Sequence, residues 1–155
     1  MRSQGPNRLM ANSLPAEDTL AVHELLARYC HGMDAARADL VIDLFADDAD
    51  MQTQVGNSSG KAQIKAWIDE RIAQRDPHFQ VGHYLLNPLV LAISASEARV
   101  RSMLLYTKQS LDFSAPCELI ATGIYEDVVI KTAKGWKFKS RQSTLNAPLD
   151  DRYFA

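Results

Sequence analysis

Glycine-rich loops, paired cysteines and long apolar runs are all missing from this chain. Its 7 glycines are scattered over 155 residues, and none belongs to a G-x-G-x-x-G or G-K-[ST] cradle, so no backbone nest for a nucleotide phosphate is present. The two cysteines, Cys30 and Cys117, are too few and too far apart for a disulfide framework and form no C-x-x-C pair. They read as free thiols. No stretch approaches the roughly 18 consecutive apolar residues of a membrane helix. The net charge is −2 with both signs interspersed, which leaves no basic stripe for a nucleic-acid backbone. The four histidines at 23, 31, 78 and 83 make no H-x-x-x-H or H-E-x-x-H pair, so neither a transition metal nor another cofactor is expected.

What remains is ordinary globular composition, with 46% hydrophobic and 23% charged residues, enough for one domain with a real core. Residues 1–14, "MRSQGPNRLMANSL", lack an apolar h-region and read as a mobile tail rather than a signal peptide. A cytoplasmic protein is the expectation. The folded domain is placed at 15–146. Residues 147–155 form a second tail, whose Tyr153 and Phe154 are expected to fold over a pocket mouth or onto a neighbouring subunit.

Pro15, Glu17 and Asp18 suit a first helical turn, and Val22, Leu25, Leu26, Tyr29 and Met33 recur as one buried stripe. Gly32 is a candidate closing residue. Asp39 can cap a short second helix with Leu40, Val41, Leu44 and Phe45 buried, ended by the acidic turn "ADDAD". "MQTQV" alternates as a strand, and "GNSSG" reads as a loop. "KAQIKAWIDERIAQR" sets Ile64, Trp67, Ile68 and Ile72 on one face of a third helix, stopped at Asp76-Pro77. From Val81 onward, strand patterns follow one another. Three helices before a long run of strands imply an α+β domain, with the helices packed in a curved, mostly antiparallel sheet.

Two polar residues interrupt this apolar scheme. Asp34 closes the stretch "RYCHGMD" at the carbonyl end of the first helix, where a carboxylate is electrostatically disfavoured. It is either a turn residue or the acid of a site. His83 opens the strand "VGHYLLNPLVL" beside Gly82, and alternation puts it on one face with Leu85 and Asn87. Tyr29 and Asp34, five residues apart, do not share a helix face, and Tyr29 also fits the buried stripe. By strand parity, Trp136 and Phe138 share one face while Arg141 takes the other, facing solvent or a subunit contact unless a bulge intervenes.

"RYCHGMD", "DLFADDADM", "VGHYLLNPLVL" and "GIYEDVVIKTAKGWKFKSR" together resemble the SnoaL-like branch of the nuclear transport factor two superfamily, over roughly residues 18–145. The resemblance implies a cone: a bent sheet around a long helix, with an apolar pocket open at one end. It also implies an Asp–His pair at Asp34 and His83, with Tyr29 in the place of a catalytic tyrosine. Asn87, Tyr106, Trp67 and Phe45 are the expected substrate-binding residues. The acidic strand residue of some dehydratases has no counterpart here, because its position falls at Tyr106 or Thr107. The implied activity is that of a cofactor-free lyase or isomerase, of dehydratase type, acting on a small apolar molecule. Its rival is a non-catalytic binding or structural subunit of the same fold, like the small subunit of ring-hydroxylating dioxygenases. Strands apolar on both faces, such as "MLLY", imply a homo-oligomer, a dimer or else a trimer.

Overall fold

A computed structural model describes residues 13–146. Helix α1 (Ala16–Asp34), α2 (Ala38–Ile42), strands β1 (Phe45–Thr53) and β2 (Gly56–Ser59), and helix α3 (Gly60–Ala73) precede four long strands. These are β3 (Phe79–Ser94), β4 (Glu97–Ser110), β5 (Glu118–Thr132) and β6 (Gly135–Leu145). All six strands form one open, curved sheet in the order β2-β1-β6-β5-β4-β3. The β1–β6 pairing is parallel and the other four are antiparallel. No described helix is long and apolar enough to cross a membrane.

The buried stripe of α1 packs against the inner face of the sheet, where Val22, Leu25, Leu26, Tyr29 and Met33 meet Val100, Leu104, Val129 and Phe138 in one core. Its first turn is tied down by Asp18, which accepts hydrogen bonds from Trp136 Nε1 at 2.9 Å and from Lys131 Nζ at 3.0 Å. Those two donors hold the Asp18 carboxyl below its ordinary pKa. The far end of α1 closes differently from the expectation at Gly32. Arg37 N–H reaches back to Gly32 O at 2.9 Å and Ala36 N–H to Met33 O at 3.0 Å, and Ala36 takes the left-handed φ of 57°. This is a Schellman closure with alanine in the glycine position. Gly32 has another role: a Cβ there would lie 2.7 Å from Val41 Cγ2, so its lack of a side chain lets α2 fold back onto α1.

Three local expectations are corrected. Helix α2 ends at Ile42, Leu40 is 51% exposed, and Phe45 starts a strand. The acidic run lies within that strand, because Phe45, Ala49 and Met51 turn inward while Asp47, Asp48 and Asp50 face water. "GNSS" is strand β2, paired to β1 across a two-residue turn. Backbone pairing to an existing strand, not side-chain propensity, makes it a strand.

Candidate active site

The end of α1 lies against strand β3, and there Asp34 meets His83. The ring Nδ1 of His83 is 2.6 Å from Asp34 Oδ1. The backbone N–H of His83 also donates to the carboxylate, at 3.2 Å to Oδ1 and 3.0 Å to Oδ2. Arg75, just beyond α3, donates from Nη1 to the backbone carbonyl of Asp34 at 3.3 Å. These contacts resolve the electrostatic problem posed by the sequence. A carboxylate at the negative end of a helix is offset by N–H donors on its oxygens and a guanidinium on the adjacent orphan carbonyl. An ionised carboxylate only accepts, so Nδ1 carries the shared proton, and in the neutral ring the lone pair then lies on Nε2.

The pair stands where two cavities adjoin. One of about 640 Å³ lies between α1 and β3, lined among others by Cys30, Asp34 and His83. The other, of about 350 Å³, lies between α3 and the inner face of β3 and β4, lined by Trp67, Phe79, His83 and Tyr106 together with Arg71, Arg75 and Lys108. His83 lines both. Tyr106 is its cross-strand partner, with the two ring centroids 4.8 Å apart, and burial raises the Tyr106 hydroxyl pKa. Cys30 is buried and inert as a nucleophile, its thiol pushed up to about 11 by that burial. Among the described residues, no three His, Cys, Asp or Glu side chains gather in a way that could hold a metal ion.

Trp67 and Tyr106 thus join His83 in one cavity wall. Tyr29 and Phe45 do not line either cavity. Both are core residues, and the Tyr29 ring packs edge-on against Phe45, Tyr125 and Phe138 at 5.9–6.3 Å. Desolvation raises the Tyr29 hydroxyl pKa. Asn87 is not with His83 either. The β3–β4 register shifts between Leu86 and Leu89, Asn87 takes a positive φ of 51°, and its exposed amide meets Met103 Sδ at 3.8 Å. The bulge breaks the alternation on which the shared face depended.

A second bulge acts in the opposite sense on Arg141. Val128 pairs with Ser140 but Val129 with Phe138, leaving Lys139 as the extra residue. Arg141 therefore turns inward and is only 1% exposed. Its guanidinium carbon lies 3.9 Å from the ring centroids of both Tyr29 and Tyr125. The alternation that sets Trp136 and Phe138 inward holds only as far as Phe138. The cations Arg71, Arg75 and Lys108 escaped notice in the sequence. The signal was available for two of them: Arg71 follows Trp67 by one helical turn, and Lys108 shares strand parity with Tyr106.

Helices packed against an open, curved six-stranded sheet are the arrangement that solved structures with this fold describe as cystatin-like. Within that fold class, the SnoaL-like domain model matches residues 15–142. The chain belongs to the SnoaL-like family, within the nuclear transport factor two-like superfamily. Among solved structures it is similar to a candidate aromatic ring hydroxylase from Novosphingobium aromaticivorans, at 26% identity over 89% of this chain and 95% of that one, with a TM-score of 0.74. It shares its fold with a candidate scytalone dehydratase from the same organism (22% identity, 84% and 85% of the two chains, TM-score 0.71). ActVI-ORFA from Streptomyces coelicolor also has this fold (17% identity, 83% and 96%, TM-score 0.74). A search of curated proteins returns no match.

Proposed function

We propose that the chain is a cofactor-free lyase of dehydratase type, with His83 as general base and Asp34 as the group that orients it. The observation that carries this reading is the 2.6 Å contact between His83 Nδ1 and Asp34, with Asp34 on the wall of the larger cavity and His83 on the walls of both. In the elimination, Nε2 takes a proton from a carbon acidified by a carbonyl or aromatic system, and the C–H electron pair becomes the new double bond. The leaving group departs with its own bonding pair. If it is hydroxide, the imidazolium returns the proton and water results; if halide, it leaves as the anion and the imidazolium releases its proton to solvent. Asp34 stabilises the imidazolium between those steps, as the third member of a hydrolytic triad does for its histidine. The apolar wall formed by Trp67, Phe79 and Tyr106 excludes water, which strengthens these charge interactions. The fold's kinship with a candidate scytalone dehydratase supports the reaction class.

A panel of hydroxylated and halogenated ring compounds, followed for release of water or halide, tests the proposal. Turnover by the wild-type chain should vanish in His83→Ala and fall by about a hundredfold or more in Asp34→Asn. Turnover that survives His83→Ala undiminished would refute the assignment.

A further inference from the structure

The smaller cavity is apolar in its walls but cationic in its charge. Arg71, Arg75 and Lys108 line it against a single carboxylate, Asp76. Asp34 stands nearby, already occupied by His83. Two of the three cations have no acidic partner among the described residues. Arg75 bonds only to the carbonyl of Asp34, and the Lys108 ammonium rests on the face of Phe79, 3.9 Å from its ring centroid. Arg71 spends one terminal nitrogen on Glu70 at 2.7 Å, while its Nε is buried with no hydrogen-bond partner. The indole Nε1 of Trp67, one turn earlier on α3, is also buried and unpartnered. Buried donors without acceptors are uncommon and costly.

We infer that this cavity selects ring compounds bearing an acidic group, a carboxylate in the first instance, held by Arg71, Arg75 and Lys108 while the ring lies against Trp67, Phe79 and Tyr106 beside His83. Like charges held together at the rim of a low-dielectric pocket raise the local concentration of an anion and discriminate against its neutral isostere. The lysine over Phe79 has a further consequence. Its charge sits at an aromatic face, where an incoming ring acid can keep the apolar contact and supply the counter-ion together. This inference rests on the proposal that His83 marks the substrate site, and it adds the charge of the substrate.

The test compares 2-naphthoate with 2-naphthamide, matched in shape and differing in charge, by calorimetry and by NMR of the His83 ring. The acid should bind about tenfold tighter than the amide at low salt, a preference worth about 1.4 kcal/mol. High salt should narrow it, which probes the charge without altering the chain. In Arg75→Gln combined with Lys108→Met, which keeps an apolar side chain over Phe79, the preference should shrink to about threefold or less. Equal binding of both compounds, with His83 signals moved by each, would overturn the acid selectivity and leave the site reading standing. If neither compound moves the His83 signals, both readings fall. An acid preference that persists in the double variant and at high salt would overturn the role given to these cations.

Discussion

Asp127 and Arg141 face each other inside the core at 3.7 Å, too far apart for a hydrogen bond, and their charged nitrogens and oxygens find no other hydrogen-bond partner among the described residues. The arginine compensates by lying between Tyr29 and Tyr125. The aspartate has no such recourse. Its burial pushes the carboxyl up to about 7, with Arg141 pulling the other way.

A pH dependence of stability follows from that aspartate. Unfolded, it ionises near 3.8; folded, near 7. Between those values the folded chain holds a proton that the unfolded chain has lost, so this group's contribution falls as pH rises through the window and is flat above it. The full effect is on the order of 4 kcal/mol. Asp127→Asn stays neutral throughout. Its melting temperature, relative to wild type, should therefore rise from about pH 4 to about pH 7 and level off above that. A flat difference would show that Asp127 is ionised across the whole range.

Asp34→Asn should change which nitrogen of His83 carries the proton. The carboxylate accepts from both the ring and the backbone N–H of His83. An amide that keeps its oxygen on the backbone N–H turns its NH2 toward Nδ1, and the ring proton then moves to Nε2. The lone pair that the proposed proton abstraction requires then moves from Nε2 to Nδ1 even though the residue is nearly isosteric. Nitrogen chemical shifts of the His83 ring should report the exchange; an unchanged tautomer would mean that Asp34 does not set it.

Ala36→Gly should stabilise the chain by about 1 kcal/mol, because a left-handed alanine costs roughly that much and glycine does not. Gly32→Ala should do the reverse, driving a methyl into Val41, at a cost of about 1–3 kcal/mol. Both are read in a single denaturant series. Opposite signs are the diagnostic outcome.

Exposed apolar side chains on β3 predict association. Tyr84 and Leu86, on the face of β3 opposite to His83 by strand alternation, are 54% and 41% exposed, and they border the cavity between α1 and β3. We propose that a second copy covers this patch, giving a dimer, or else a trimer. Light scattering should give a multiple of 17.3 kDa at micromolar concentration, and Tyr84→Lys should shift it toward the monomer. A wild-type monomer would discard the idea. The expected role of Tyr153 and Phe154 lies outside the described residues.

The parts of this molecule that were legible in the sequence are those governed by regular periodicity. The stripe of α1, the face of α3 and the succession of long strands follow from apolar spacing alone, and the structure reproduces them. Asp34 stood out as an acid at the carbonyl end of a helix, whereas His83 was marked as its partner by the family resemblance and not by periodicity. The misreadings of side-chain direction fall at irregularities that periodicity cannot carry. One extra residue at Lys139 reversed the direction of Arg141. A bulge at Asn87 removed it from the face of His83. The acidic strand β1 looked like a turn because its pairing with β6 is a long-range fact. The cationic cavity was invisible for the same reason, being assembled from α3, the segment after it, and β4.

The doubled contact of Asp34 with His83 has a consequence for solubility. Strand β3 is the last in the sheet, so its outward N–H groups form an open edge to which another chain could add. At His83 that edge is closed by the side chain of Asp34, which takes the N–H that a foreign strand would need. The carboxylate beside the His83 ring thus also removes one strand-pairing N–H from the open edge of β3. Under the proposed mechanism Asp34 therefore has two roles, one on the His83 ring and one on the strand edge. A homologue that had lost all catalysis would still have reason to keep an acid, or another short acceptor, at the end of its first helix.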